Sequence, residues 1–381
     1  GSIATVETLQ SQLAMIANQF QSEPTLTATD DEDTVGDAPN LARQADEAND
    51  GDADTIDFSE LPPKSQASPV VGTGVVTAAD DDDDDDNADD NAPTVVLPMQ
   101  LVSLSEAGRT DVGRQRDHNE DYFGIQTEIR KLETPQGSTV QARGLFILCD
   151  GMGGHAGGEV ASSLAVNTIR DYFQTRWFNT DIATTKLPTE AEIREAIVLA
   201  NKAIYDINQE TSRSGSGRMG TTLVMVLIHN TKVAYAHVGD SRLYRVSRRS
   251  GLEQLTADHD VGQREIQRGV EPAIAYARPD ALQLTQALGP RDENFINPDI
   301  EFLDLQEDTL LMLCSDGLAD NDLLETHWRT HLEPLLGSQA NLDRGVAQLI
   351  ELANQYNGHD NITALAVRLK MRPNMDTLKR R

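Results

Sequence analysis

A chain of 381 residues with a formal net charge of −30 is long enough for more than one domain, and its acidity disfavours direct binding to DNA or RNA, whose phosphates carry the same sign. No stretch approaches the roughly 20 apolar residues that span a bilayer, and no basic start followed by an apolar run marks a secretion signal, so a cytoplasmic protein without a membrane segment is expected. The two cysteines, Cys149 and Cys314, are expected as buried reduced thiols; neither has metal-site spacing, and no Zn site is implied.

The charge is unevenly placed. Residues 1–100 hold 23 Asp and Glu against Arg43 and Lys64, which puts about −21 of the total there. Gly1-Ser2 has the composition of an expression scar and is set aside. Within residues 1–20, Leu9, Leu13, Ile16 and Phe20 have the spacing of one short, transient helix. Residues 21–100 have no sustained apolar period and contain an unbroken Asp run from Asp80 to Asp86. Such a segment cannot bury enough apolar surface to offset the entropy of folding, so it is expected as a disordered acidic linker.

Globular patterning begins at residue 105. Leu145–Leu148, Thr222–Ile228, Val233–Val238, Leu243–Val246, Thr309–Leu313 and Thr363–Leu369 predict short strands, apolar or alternating and bounded by Gly, Asn or Asp. Between them, residues 159–173 carry a helical stripe through Val160, Leu164 and Ile169. A second helix is expected after Thr189, with Glu190 and Glu192 in its first turn, and a third over Asn341–Gln355. Val261–Gly269 predicts a short helix, and residues 271–279 an irregular lid. Strands mixed with paired helices give an α+β layered fold over residues 105–370, followed by a short basic tail at 371–381.

Six short motifs punctuate this region in order: Arg116 to Asp121 (RDHNED), Asp150 to His155 (DGMGGH), Gly220 to Thr222 (GTT), Val238 to Arg242 (VGDSR), Ser315 to Asp320 (SDGLAD) and Asp360 to Thr363 (DNIT). Asp150 and Asp316 each follow an apolar strand and precede a glycine, which lets backbone approach a ligand closely. Carboxylates at strand ends suit hard divalent cations, which prefer oxygen donors. Taken singly, each such Asp is more often a turn or cap residue. The glycine run after Asp150 lacks the Gly-Lys-Ser/Thr ending of a nucleotide-phosphate loop.

As a set, the motifs resemble the metal-dependent Ser/Thr protein phosphatases of the PPM (PP2C-like) family, in its bacterial form. The resemblance implies a four-layer αββα sandwich and hydrolysis of phosphoserine and phosphothreonine in proteins at a dinuclear Mn²⁺ or Mg²⁺ centre. In it, Asp150 bridges the ions with the Gly151 carbonyl as a further donor, and Asp121 binds one ion. Glu120 acts through water, and Asp316 and Asp360 bind the other ion. Asp240 and Asp320 hold a weaker third ion, while Arg116, five residues before Asp121, grips phosphate. On its own, Arg116 reads as a surface ion pair with Asp111 or Asp117. His155 is the candidate general acid, although Met152 stands where family members with Asp-Gly-His carry a histidine. Asn361 and Thr363 are expected to support Asp360, and Gly220–Thr222 to serve packing. The implied partners are phosphorylated proteins, met by a monomer. The alternative is a catalytically weak phosphoprotein-binding scaffold with the acidic segment as docking module.

Overall fold

Alternation along the strands sends neighbouring side chains to opposite layers. The computed structural model describes residues 97–134, 137–153, 157–211 and 217–374; the expectations for the N-terminal helix, for the acidic linker as far as residue 96, for His155 and for the end of the basic tail lie outside them, whereas Met99 and Gln100, expected at the end of the linker, lie in a strand. In β3 (Gly137–Met152), Leu145, Ile147 and Cys149 pack against helices, whereas Phe146 and Leu148 pack against a second sheet. β5 (Leu223–His229) repeats this, with Leu223, Met225 and Leu227 on one side and Val224, Val226 and Ile228 on the other.

The first sheet runs β2 (Asp121–Thr134), β3, β5, β6 (Lys232–Val238) and β9 (Asp299–Asp304), with the short β4 (Gly220–Thr221) paired to β3. The second runs β1 (Met99–Asp111), β11 (Ile362–Pro373), β10 (Thr309–Cys314), β7 (Arg242–Ser247) and β8 (Gly251–Gln254). All pairings are antiparallel. Helices α1 (Gly157–Phe173) and α2 (Glu190–Glu210) cover the first sheet; α5 (Asp316–Ala319), α6 (Leu323–His331) and α7 (Leu342–Tyr356) cover the second. This is the expected αββα arrangement. Between β8 and β9 lie two short helices, α3 (Val261–Gln267) and α4 (Pro272–Ala275).

The predicted helices start where their caps stand. Thr189 and Glu192 form a reciprocal capping box on α2, and Asn341 caps α7 by accepting from Arg344 N. Met99 pairs with Pro373, so the folded unit reaches beyond 105–370 at both ends and takes in the start of the expected basic tail. Both cysteines are free and buried, as expected. Among the described residues, no helix is long and apolar enough to cross a membrane.

Phe146 is fully buried where the sheets meet, whereas Phe302 on β9 is 47% exposed. Phe146→Ala is expected to destabilise the protein by about 3–5 kcal/mol. Phe302→Ala should stay within about 0.5 kcal/mol of wild type. Urea unfolding curves of both variants check this contrast.

Candidate active site

The antiparallel register places one set of strand ends together. Asp121, at the start of β2, pairs directly with Asp150, near the end of β3, and cross-strand partners share a face of the sheet. Both continue the phase of Phe123 and Leu148, which point between the sheets. From the second sheet, Asp316 follows the end of β10 and Asp360 precedes the start of β11, two strands that are also antiparallel neighbours. Asp240 sits in the link from β6 to β7, where the chain changes sheets.

Two glycines make this approach possible. A Cβ on Gly151 would stand 2.1 Å from the Gly158 carbonyl oxygen, and one on Gly317 would stand 2.1 Å from that of Asn361. Each strand-end Asp-Gly pair is therefore crossed by other backbone, the first turn of α1 at Gly151 and the Asp360–Thr363 motif at Gly317, which no larger residue permits.

Hydrogen bonds then fix the carboxylates. Ser315 Oγ donates to Asp121 Oδ2 at 2.7 Å, joining the two sheets, while Thr363 N donates to Ser315 Oγ at 2.9 Å. Asp150 N donates to Thr222 Oγ1 at 3.0 Å, and the Asp150 carbonyl accepts from Thr221 Oγ1 and Thr222 N, both at 2.8 Å. Thr222 Oγ1 also meets Ser241 Oγ at 2.7 Å, which ties the Asp150 strand to the residue after Asp240. Gly220–Thr222 is thus a tether for the bridging candidate as well as a packing feature. Ser241 and Ser315 were not singled out in the sequence; their signal is only a hydroxyl beside a motif aspartate.

Asn361 departs in part from its expected role. Its backbone N–H donates to Asp360 Oδ1 at 2.7 Å, but its side chain serves the loop before β2, accepting from Glu120 N and donating to the Val112 and His118 carbonyls. The hydroxyl of Thr363 donates to Thr110 and reaches Asp121 rather than Asp360. Arg116 likewise is not paired with Asp111 or Asp117. Its guanidinium donates to Asp360 Oδ2 at 2.6 Å and remains 48% exposed. Asp320 lies 3.4 Å from His359 Nε2, and Asn357 Nδ2 holds its carbonyl at 2.9 Å.

This crowding raises the carboxyl pKa values. Burial, opposed by the Thr363 and Ser315 hydroxyls and reinforced by Asp360 and Glu120, pushes Asp121 up to about 6. Asp240 is pushed up to about 7 by burial and by Asp258 and Asp320. Asp150 and Asp316 stand well above the usual carboxylate range, first through loss of water and then through repulsion from neighbouring aspartates. Glu120 and Asp320 are raised by burial. Asp121 Oδ1 and Asp316 Oδ1 are both buried without a hydrogen-bond partner. Buried anionic oxygens that repel one another and lack donors fit divalent cations of the Mg²⁺ and Mn²⁺ class. Among the described residues, the group of three side chains with donor atoms all within 4.8 Å is His237, His259 and Asp299, none of them a member of this cluster. The wider spacing of the carboxylates suits separated ions that keep water in their shells.

Residues 134–352 match the family model for Protein phosphatase 2C. The serine/threonine phosphatase stp of Listeria welshimeri is 35% identical over 260 residues, which cover 68% of this chain and 93% of that protein. The protein phosphatase PhpP of Streptococcus pneumoniae is 32% identical over 263 residues, covering 68% and 94%. Among solved structures, the Mycobacterium tuberculosis serine/threonine phosphatase PstP/Ppp superimposes with a TM-score of 0.55 at 29% identity, covering 70% of this chain and 99% of that one. The catalytic domain of PstP in complex with two manganese ions gives 0.50 at 27% identity, covering 71% and 99%.

Raised carboxyl pKa values carry a stability signature. A carboxyl titrating near 7 when folded and near 4 when unfolded keeps its proton only in the folded chain, so its contribution is full below about pH 4 and is lost as pH rises towards about 7. In chelated protein, the Tm of Asp240→Asn relative to wild type should therefore climb across that window, and excess Mg²⁺ should flatten the climb. Calorimetry across pH checks this; a Tm difference independent of pH contradicts it.

Proposed function

Because the chain belongs to the protein phosphatase 2C family and is a serine/threonine phosphatase of that type, we propose that phosphoserine and phosphothreonine esters of proteins are hydrolysed over the carboxylate cluster. The observation that carries this reading is the pair of buried, donorless oxygens on Asp121 and Asp316. They come from opposite sheets, within one cluster rimmed by Arg116.

Asp121, Asp150 and the Gly151 carbonyl would hold one ion, and Asp150, Asp316 and Asp360 the other, with Glu120 contributing through water. Asp240 and Asp320 make a looser third position, since two carboxylates hold a hard cation less firmly than a fuller shell. Two Mn²⁺ or Mg²⁺ ions, when bound, supply an acidified water as nucleophile and charge that offsets the phosphoryl oxygens. The tethers from Ser315, Thr221 and Thr222 hold Asp121 and Asp150 in place, so little reorganisation is left for the reaction itself. Arg116 is half exposed and engages Asp360 through one nitrogen. Its planar fork retains donors for two oxygens of an incoming phosphate.

Two substitutions test the assignment, read as phosphate release from a phosphothreonine peptide with Mn²⁺ and with EDTA. Asp150→Asn should lower kcat by about a hundredfold or more with the fold retained, because an amide is a poorer ligand for hard cations. Arg116→Lys keeps the charge but loses the two-pronged grip, so kcat/KM should fall by about tenfold or more while Mn²⁺ binding, followed by calorimetry, changes little. Full turnover in EDTA, or an Asp150→Asn enzyme as active as wild type, contradicts the reading.

A further inference from the structure

A second group of metal-ligating side chains lies outside the carboxylate cluster. His237 is on β6, His259 in the segment that leads into α3, and Asp299 at the start of β9. Candidate ligand atoms on all three lie within 4.8 Å of one another. The imidazole rings of His237 and His259 stack with centroids 4.5 Å apart.

His237 carries the argument. It is 2% exposed, and its Nε2–H donates to the Ala257 carbonyl at 2.8 Å. That fixes the tautomer and leaves Nδ1 with a lone pair, and Nδ1 is buried without any hydrogen-bond partner. A ring that gives its far N–H to a backbone carbonyl and presents its other nitrogen unpartnered has the outer-shell arrangement of metal-ligating histidines. Burial and the neighbouring His259 push the His237 pKa down to about 4, so near neutral pH no proton has to leave before that nitrogen can act as a ligand. His237 and Asp299 also line a cavity of about 430 Å³, together with Tyr235 and Asn297.

We propose that His237 Nδ1, His259 Nε2 and the Asp299 carboxylate form a binding site for a borderline divalent cation of the Zn²⁺ class, separate from the catalytic carboxylates. Two imidazoles and one carboxylate favour such an ion over Mg²⁺, and a fourth position is left for water from the cavity. His259 must adjust. Its Nδ1 accepts from Gly239 N–H at 3.2 Å, so in the metal-free ring the proton sits on Nε2 and is donated to Asp299 Oδ2 at 3.3 Å. On binding, that proton moves to Nδ1, the Gly239 contact is given up, and Nε2 and Asp299 turn to the ion without net proton release. Donor atoms around a tetrahedral ion stand about 3.4 Å apart, and His259 Nε2 and Asp299 Oδ2 already stand at 3.3 Å, so the closing movement is that of this pair towards His237 Nδ1. The Asp299 side chain is half exposed whereas both rings are buried and stacked, so the His259 ring must turn out of the stack to bring its in-plane lone pair to the ion. An ion here joins β6 and β9 of the first sheet to the segment that enters α3.

The test is Zn²⁺ titration of the full chain in excess Mg²⁺, followed by calorimetry, with Co²⁺ visible absorption as a second readout. One equivalent of Zn²⁺ is expected in wild type and in Asp150→Asn. Asp299→Asn, at an accessible position, should weaken binding by about tenfold or more. His237→Gln should abolish the Co²⁺ band. An unchanged isotherm in Asp299→Asn, or Zn²⁺ binding lost in Asp150→Asn, overturns the proposal, the latter by placing the ion in the catalytic cluster.

Discussion

Repulsion among carboxylates gathered at one end of the sandwich is the constraint on which the rest depends. Burial first, and then repulsion from neighbouring carboxylates, raises the energies of ionised Asp121, Asp150, Asp240, Asp316 and Asp320, and each of these would be more favourably placed in water. Rigid elements prevent the cluster from dispersing. Asp121 and Asp150 are fixed by a β2–β3 register that runs the length of both strands, and the backbones beside Asp316 and Asp360 are locked where Gly317 meets the Asn361 carbonyl. In the proposed centre, the unfavourable electrostatics of the metal-free chain would supply the affinity for divalent cations.

The layers serve this arrangement. Interior residues such as Phe146, Leu148, Leu311 and Leu365 hold the sheets face to face, and at the open end the apolar contacts give way to the Ser315–Asp121 hydrogen bond. The Thr222–Ser241 bond does the same between the β3 end and the β6–β7 link. Hydroxyls fit these positions because they fix a carboxylate or its backbone without adding charge. Arg116 brings positive charge to the rim through Asp360, from a loop that the Asn361 side chain holds in place.

How much could be read from sequence followed burial. β3, β5, β6, β10 and β11 were legible because both of their faces are buried and their composition is apolar. β9 was not: Asp299–Asp304 is an edge strand, mostly exposed, with three acidic residues in six. β2 escaped for a similar reason, since its alternation through Phe123 and Ile125 breaks at Thr127 and Ile129 is exposed. α6 has only Leu323 and Leu324 buried, too few to mark a helical stripe. At the site, Asp150 and Asp316 stand out in the sequence as strand-end aspartates before glycine, whereas Asp121, Asp240, Asp320 and Asp360 are named only through the family resemblance. The partner of Arg116 was not, because Asp360 lies 244 residues away and only the meeting of β1 with β11 brings it near. The grouping of His237, His259 and Asp299 was hidden likewise, since no short spacing links residues on three separate elements.

The central claim is that the carboxylates at the strand ends are arranged around two cations that share Asp150. Anomalous scattering from crystals grown with Mn²⁺ tests it most directly. The account predicts two strong peaks about 3.5–4 Å apart, both within bonding distance of the Asp150 carboxylate, one beside Asp121 and the other beside Asp316 and Asp360. A single peak, or peaks that leave Asp150 without a metal contact, would contradict it.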